Sequence, residues 1–257
     1  MNPASVSFFS EQECYLNTMN RRQLLHAATF TGAALVSGLS IKSALAAEGT
    51  TEGEASLLEP RPLPFDPGKL NGISEKLMVS HHEKNYSGAV KNLNKVRTEM
   101  SQLTKDSPPF LAIALKEREL LFHNSMVLHE LYFGNLGGDG KPSGQVPQRL
   151  SDAFGSAARW EELFRLTGMG LAGGSGWVTL GYDLRDHSLT ISGASNHAQT
   201  PAQTLPLLMM DMYEHAYQMD YGADAAKYID AFFQNVPWDH VNQRFDQAER
   251  IAKEFPG

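Results

Sequence analysis

Two stretches of helical periodicity flank Pro108-Pro109, and each sets a histidine among apolar side chains; no other feature constrains the fold as tightly. In the first, between Ser74 and Met100, the residues Ile73, Leu77, His81, Val90, Leu93 and Met100 fall near one stripe, with Ser74 placed as an N-cap. In the second, Leu115, Phe122, Met126, His129 and Phe133 recur at helical steps up to about Phe133. Two long helices joined by a short break predict an antiparallel hairpin. A lone histidine on an apolar face is more often a hydrogen-bonded core residue than a ligand. Two of them, one from each facing helix, shift that balance.

Beyond the hairpin the texture changes. Gly137-Gly138-Asp139-Gly140-Lys141-Pro142-Ser143-Gly144 reads as a boundary loop, followed by a third helix from about Gln148 to Leu166. Trp177–Asp183 and Ser188–Ser192 read as a strand hairpin, and Thr204–Met210 as a short buried strand. Helical patterns return over Ala223–Phe233 and Trp238–Lys253. The predicted class is α+β: an N-terminal antiparallel helical hairpin over residues 69–137, then a small α/β domain with a three-stranded sheet over 145–257. Residues 47–68, with Gly, Thr, Glu and four prolines and no sustained period, read as a linker or extended arm.

Residues 1–46 read as an address. Asn20-Arg21-Arg22-Gln23-Leu24-Leu25 is a twin-arginine start, Ala27–Ile41 a weakly apolar run, and Ala44-Leu45-Ala46 a cleavage site. That order predicts export by the twin-arginine route to a periplasmic or extracytoplasmic space, with no membrane association after cleavage. The run is too short and too rich in Gly, Ser and Thr to span a bilayer. Met19 directly precedes the motif and is an alternative start to Met1.

Charge and thiols narrow the chemistry. With 22 Lys and Arg against 29 Asp and Glu the net charge is −7, which argues against nucleic-acid binding through a basic surface. The single cysteine, Cys14, lies in the removable segment, so a disulfide framework, a CxxC pair and a Cys-rich metal site are all excluded. Any metal must be held by nitrogen and oxygen. Asp211 follows the buried strand and His215 comes four residues later, so both can reach one spot if the chain turns there. With His81 and His129 they form three imidazoles and one carboxylate, a set suited to Fe, Mn or Zn.

Longer motifs carry a resemblance. Leu63-Pro64-Phe65-Asp66, Ile73-Ser74, His81-His82-Glu83-Lys84 and Asn92-Leu93-Asn94 resemble the opening of the iron/manganese superoxide dismutases. Gly174-Ser175-Gly176-Trp177 and Asp211-Met212-Tyr213-Glu214-His215-Ala216-Tyr217, followed by Asp220-Tyr221, resemble that family's glycine-tryptophan motif and metal signature. The resemblance implies one Fe or Mn ion per subunit on His81, His129, Asp211 and His215, with solvent as a fifth ligand. It implies conversion of superoxide to oxygen and hydrogen peroxide as the metal cycles between trivalent and divalent states. It also implies a homodimer or tetramer in which Glu214 reaches the partner's His215, and a site lined by Trp177 and Tyr213.

Departures gather around the ligands. Ala89 stands where the family usually has a tyrosine, eight residues after the first ligand. Asn85 replaces a usual histidine, and Gln218 replaces the tyrosine it would meet across the dimer, so the two form an expected intersubunit pair. Tyr86 is a candidate to lend its hydroxyl to the site. His197 stands in for the glutamine that contacts the bound solvent, and Ser125 occupies the other position able to supply it. No arginine follows Asp220-Tyr221. These changes raise the alternative of a catalytically weak or inactive metal-binding relative. A zinc hydrolase would need a general base near the open position, which neither His82 nor Glu83 supplies convincingly.

Overall fold

The computed structural model describes residues 57–254, so the signal segment expected over residues 1–46 and the first part of the expected arm lie outside the described residues. From Leu57 the chain runs extended, and Leu58, Leu63 and Phe65 pack against the core. Leu58 is tied by its backbone N–H and C=O to the Asn94 side chain at 3.0 and 2.8 Å. The part of the arm that is described therefore lies on the domain.

Ser74 caps α1 (Glu75–Ser80), its hydroxyl accepting from the Leu77 N–H at 3.1 Å. The single helix expected from Ser74 to Met100 is interrupted. A six-residue π-helical turn, His81–Tyr86, separates α1 from α2 (Ser87–Ser101). This turn has no propensity signature, because the same residues satisfy an α-period equally well; such turns are frequent at functional sites. α3 (Pro109–Gly134) opens on a proline at its first position, where no N–H is needed. Tyr86 meets Glu130 at 2.9 Å and Arg97 meets Glu119 at 3.5 Å, so α2 and α3 run antiparallel as expected. The N-terminal part of α3 is more exposed than its apolar residues suggest, with Phe110 and Ile113 at the surface; only the part near His129 is well buried.

The third helix expected over Gln148–Leu166 is two helices, α4 (Val146–Phe154) and α5 (Ala157–Leu171). Gly155 ends the first with φ 87°, and the Ser156 hydroxyl caps the second by accepting from the Arg159 N–H at 3.0 Å. The sheet has the order β2-β1-β3, built from β1 (Trp177–Asp183), β2 (Ser188–Ala194) and β3 (Thr204–Asp211), all neighbours antiparallel. A bulge between Leu180 and Gly181 shifts the register against β3, and beyond it Trp177 pairs with Asp211. A 3₁₀ turn (Glu214–Ala216), α6 (Gln218–Tyr221), α7 (Ala225–Phe233) and α8 (Trp238–Ala252) complete the chain. Among the described residues no helix is long and apolar enough to cross a membrane.

Hairpin and sheet share one core: Tyr132 of α3 stacks on Phe232 of α7 at 6.2 Å, and Phe164 of α5 lies against the same ring at 6.5 Å. At the end of α3 the buried Asn135 accepts from the Met209 N–H at 2.8 Å and donates to the Leu207 C=O at 3.4 Å. That amide fastens α3 to β3, and so fixes the helix carrying His129 against the strand carrying Asp211.

Gly176 closes the approach to β1. Its φ is 151°, a side chain there would collide with the Ala194 carbonyl, and its own carbonyl accepts from the Met212 N–H at 2.9 Å. Gly176→Ala is expected to lower stability by about 1–3 kcal/mol, as overpacking does. The measurement is the urea midpoint, with the slope unchanged.

Candidate metal centre

Four elements deliver one side chain each to a common point. His81 opens the π-helical turn, His129 sits on the buried end of α3, Asp211 ends β3, and His215 lies in the 3₁₀ turn that follows. The Nε2 atoms of His81, His215 and His129 stand 3.1, 3.3 and 3.7 Å from the same Asp211 oxygen, Oδ2. All four donor atoms lie within 4.8 Å of one another. His81, His129 and Asp211 are buried, while the His215 side chain keeps 26% of its surface exposed.

The donor set fits a cation. Nε2 of His129 and Nε2 of His215 are buried without a hydrogen-bond partner. Leaving a buried polar atom unpaired costs about 1–3 kcal/mol, a cost that an ion taking the lone pairs removes. His129 shows which nitrogen is free: its Nδ1–H donates to the Ser125 carbonyl at 2.6 Å, so the proton is on Nδ1 and the Nε2 lone pair faces the cluster. Burial lowers the His81 and His129 imidazoles, His129 to about 3, so both are neutral and able to ligate. Burial alone would raise the Asp211 carboxyl, but the neighbouring His215 and His81 outweigh it and hold the group well below the usual carboxylate range. Asp211 Oδ1 is fixed separately, accepting from the Tyr213 N–H at 2.8 Å.

Trp177 and Tyr213 stand beside the four side chains. The Trp177 ring stands edge-on to His129 at 5.2 Å, and Tyr213 stacks on His215 at 5.2 Å. His197, from the loop after β2, stacks on Tyr213 at 4.7 Å and lies 6.0 Å from the His129 ring. Its Nδ1 accepts from the Trp177 indole N–H at 3.0 Å, and burial lowers its pKa, so the neutral ring carries its proton on Nε2. Asn124 holds that loop onto α3 by donating to the His197 carbonyl at 2.8 Å.

A cleft of about 250 Å³ opens onto His129, His197 and His215, with Lys84, Asn85 and Ala89 on its wall. Among the described residues, Lys84 is the one Lys or Arg side chain lining it. Ser125 also faces the cleft, its hydroxyl 3.4 Å from His129 Nδ1. Glu214 and Gln218 are exposed. Among the described residues no hydrogen bond joins Asn85 to Gln218 within one chain.

Tyr86 requires a correction. Its hydroxyl donates to Glu130 at 2.9 Å and accepts from the Arg61 N–H at 2.8 Å, so it is engaged between the arm and α3 and is not lent to the ligands directly. Burial pushes that hydroxyl up to about 12. His82 is engaged as well, its Nε2 donating to the Arg61 carbonyl at 2.7 Å, and Glu83 is exposed, which leaves a hydrolase reading without its base. Sequence reasoning missed Tyr228, whose hydroxyl donates to the Asp211 carbonyl at 2.7 Å and lies 3.1 Å from the Tyr132 hydroxyl. No spacing in the sequence marks it, because it acts on a backbone atom.

A helical hairpin joined to a small sheet, with three imidazoles and one carboxylate converging in its core, defines a mononuclear metalloprotein of nitrogen and oxygen ligation. The family described as iron/manganese superoxide dismutases, C-terminal domain, matches residues 142–244. The chain is 47% identical over 195 residues to superoxide dismutase [Fe] of Cupriavidus metallidurans, covering 76% of this chain and 99% of that protein. It is 33% identical to superoxide dismutase [Fe] of Aquifex pyrophilus, over 71% of this chain and 88% of that one. It is 36% identical to superoxide dismutase [Mn] of Mycobacterium intracellulare, over 68% of this chain and 86% of that one. With nearly the whole of the Cupriavidus protein covered at this identity, the chain belongs to the iron/manganese superoxide dismutase family.

The lowered imidazoles set the acid behaviour of the metal-free protein. Unfolded His81 and His129 take up protons near 6.5, whereas folded His129 does so only near 3. The unfolded chain therefore binds more protons between these values, and stability falls as pH drops through that window. The depressed Asp211 acts in the same sense at lower pH, since its contribution is present above the unfolded carboxylate value and lost below it. Calorimetry of the apoprotein should show a Tm that is level above about pH 7 and declines steadily below about 6; a Tm that rises on acidification would contradict the assignment.

Proposed function

We propose that the protein is a superoxide dismutase, converting two superoxide anions and two protons to oxygen and hydrogen peroxide at one Fe or Mn ion per subunit. The observation that carries this reading is the buried quartet, with three imidazole nitrogens around a single oxygen of Asp211. The ion, when bound, supplies one-electron oxidation and reduction by alternating between its trivalent and divalent states.

The chain's own residues do the rest. Asp211 and three neutral imidazoles leave a trivalent ion with residual positive charge, which favours an anionic substrate. Burial of His81, His129 and Asp211 restricts access to the ligands, and the cleft beside Lys84 is the approach for a small anion. In a chain of net charge −7 a local cation at the mouth matters, because the overall field repels superoxide. His197 offers an Nε2–H donor beside the site and is held in that tautomer by Trp177. Ala89, where relatives usually have tyrosine, is buried and contributes no hydroxyl to the cleft.

The same reading extends to assembly and address. The exposure of Glu214 beside the partly open His215 supports a homodimer in which Glu214 reaches His215 of the partner subunit, with Asn85 and Gln218 as the paired polar contact. The twin-arginine motif and small-residue site at Ala44–Ala46 support export to a periplasmic or extracytoplasmic space.

The test is to load the mature protein with Fe or Mn, measure metal by mass spectrometry and time superoxide loss after pulse radiolysis. Acceleration well beyond the free ion is expected for at least one metal. Stoichiometric Fe or Mn without acceleration would favour the inactive relative instead. A second expectation concerns His197→Ala, which should shift the reduction potential of the bound metal, read by redox titration, while metal content stays close to wild type. Collapse of the metal content would mean that His197 does more than orient solvent.

A further inference from the structure

We propose that Arg61, Tyr86 and Glu130 form a clasp that sets the spacing of His81 and His129, making Tyr86 and Glu130 positioning residues for the metal site. The proposal deepens the reading of the four side chains as metal ligands and rests on it.

One residue of the arm, Arg61, touches both ligand-bearing helical segments. Its N–H donates to the Tyr86 hydroxyl at 2.8 Å, and its carbonyl accepts from His82 Nε2 at 2.7 Å. Its guanidinium lies 3.1 Å from one oxygen of Glu130, while the Tyr86 hydroxyl donates to the other at 2.9 Å. His82 directly follows the ligand His81, and Glu130 directly follows the ligand His129. The contacts thus bind the two residues adjacent to two ligands to a single point on the arm.

Their placement on the π-helical turn is what gives them leverage. That turn spans His81–Tyr86, and the clasp holds it at its second and its last residue. A π turn has weaker intrinsic support than an α turn and persists where surrounding contacts define it. Freed from Arg61 and Glu130, the segment can relax toward α geometry, and His81 then moves relative to Asp211 and His129. The Tyr86 ring is buried, 5.8 Å from Phe133 and 6.4 Å from His129, so the hydroxyl can be removed while the packing stays. A plain anchoring role for the arm is already served elsewhere, by Leu58 on Asn94.

The experiment compares Tyr86→Phe, Glu130→Leu, Glu130→Gln, Arg61→Ala and the Tyr86→Phe/Glu130→Leu double variant with wild type, all as the full folded chain. Affinity for Mn(II) is read by competition with a chelator, and site geometry by electron paramagnetic resonance of the Fe(III) form. Tyr86→Phe and Glu130→Leu should each weaken Mn(II) binding roughly tenfold, the lower end of the cost of losing an outer partner of a ligand, and each should alter the Fe(III) spectrum. The double variant should lose little more than the weaker single one, because both break one unit. Glu130→Gln keeps an acceptor for Tyr86 and should restore a near-wild-type spectrum. Arg61→Ala removes a side chain that is 77% exposed, cannot be expected to unfold the chain, and should shift the spectrum in the same direction by less. Wild-type affinity and spectrum in Tyr86→Phe, with only a lowered Tm, would overturn the clasp as a positioning device. Equal Mn(II) binding by wild type and His81→Ala would instead overturn the ligand reading beneath it.

Discussion

The buried Asp211 carboxylate is the constraint on which the rest of the structure depends. A carboxylate with no solvent exposure is tolerated only if nearby groups repay its lost hydration. Of the three imidazoles around it, burial keeps His81 and His129 neutral, so these two bring no positive charge to balance it. A bound cation completes the arrangement: it takes the ring lone pairs left without partners and balances the anion. Folding and metal loading are therefore coupled.

Holding that carboxylate in place takes more of the molecule than the four ligands. The Tyr213 N–H fixes its free oxygen, the Tyr228 hydroxyl fixes its backbone carbonyl, and Asn135 fastens the strand behind it to the helix of His129. Trp177 pairs with Asp211 across the sheet, packs edge-on to His129 and orients His197. One side chain thereby links strand register, ligand packing and a polar donor. Ala89, buried on the wall of the cleft, is set within this scaffold of outer contacts.

The helical hairpin, the three strands and the two closing helices were all legible in the sequence, and so were the four side chains as candidates, while the resemblance is what implied them as ligands. Each rests on a pattern that local chemistry imposes: stripes on helices, alternation on strands, an N-cap serine, a proline break, and histidines on apolar faces. What escaped was of another kind. The π turn at His81–Tyr86 and the break between α4 and α5 at Gly155-Ser156 both leave the apolar period intact, so periodicity passes over them. Tyr86 shows the limit for side chains, since helical position put it near the site while its hydroxyl is claimed by Arg61 and Glu130.

By itself, then, the sequence determined which residue types could chemically hold a metal, which faces are buried, and the order of the elements, because these depend on composition and short-range spacing. Only the tertiary structure decided that three imidazole nitrogens converge on one oxygen, which nitrogen of His129 and His197 carries the proton, and where the Tyr86 hydroxyl is engaged. Those outcomes depend on hydrogen bonds between segments as distant as His81 and Asp211, or Arg61 and Glu130. A distance between such segments is a property of the packed core and has no counterpart in the local pattern of either one.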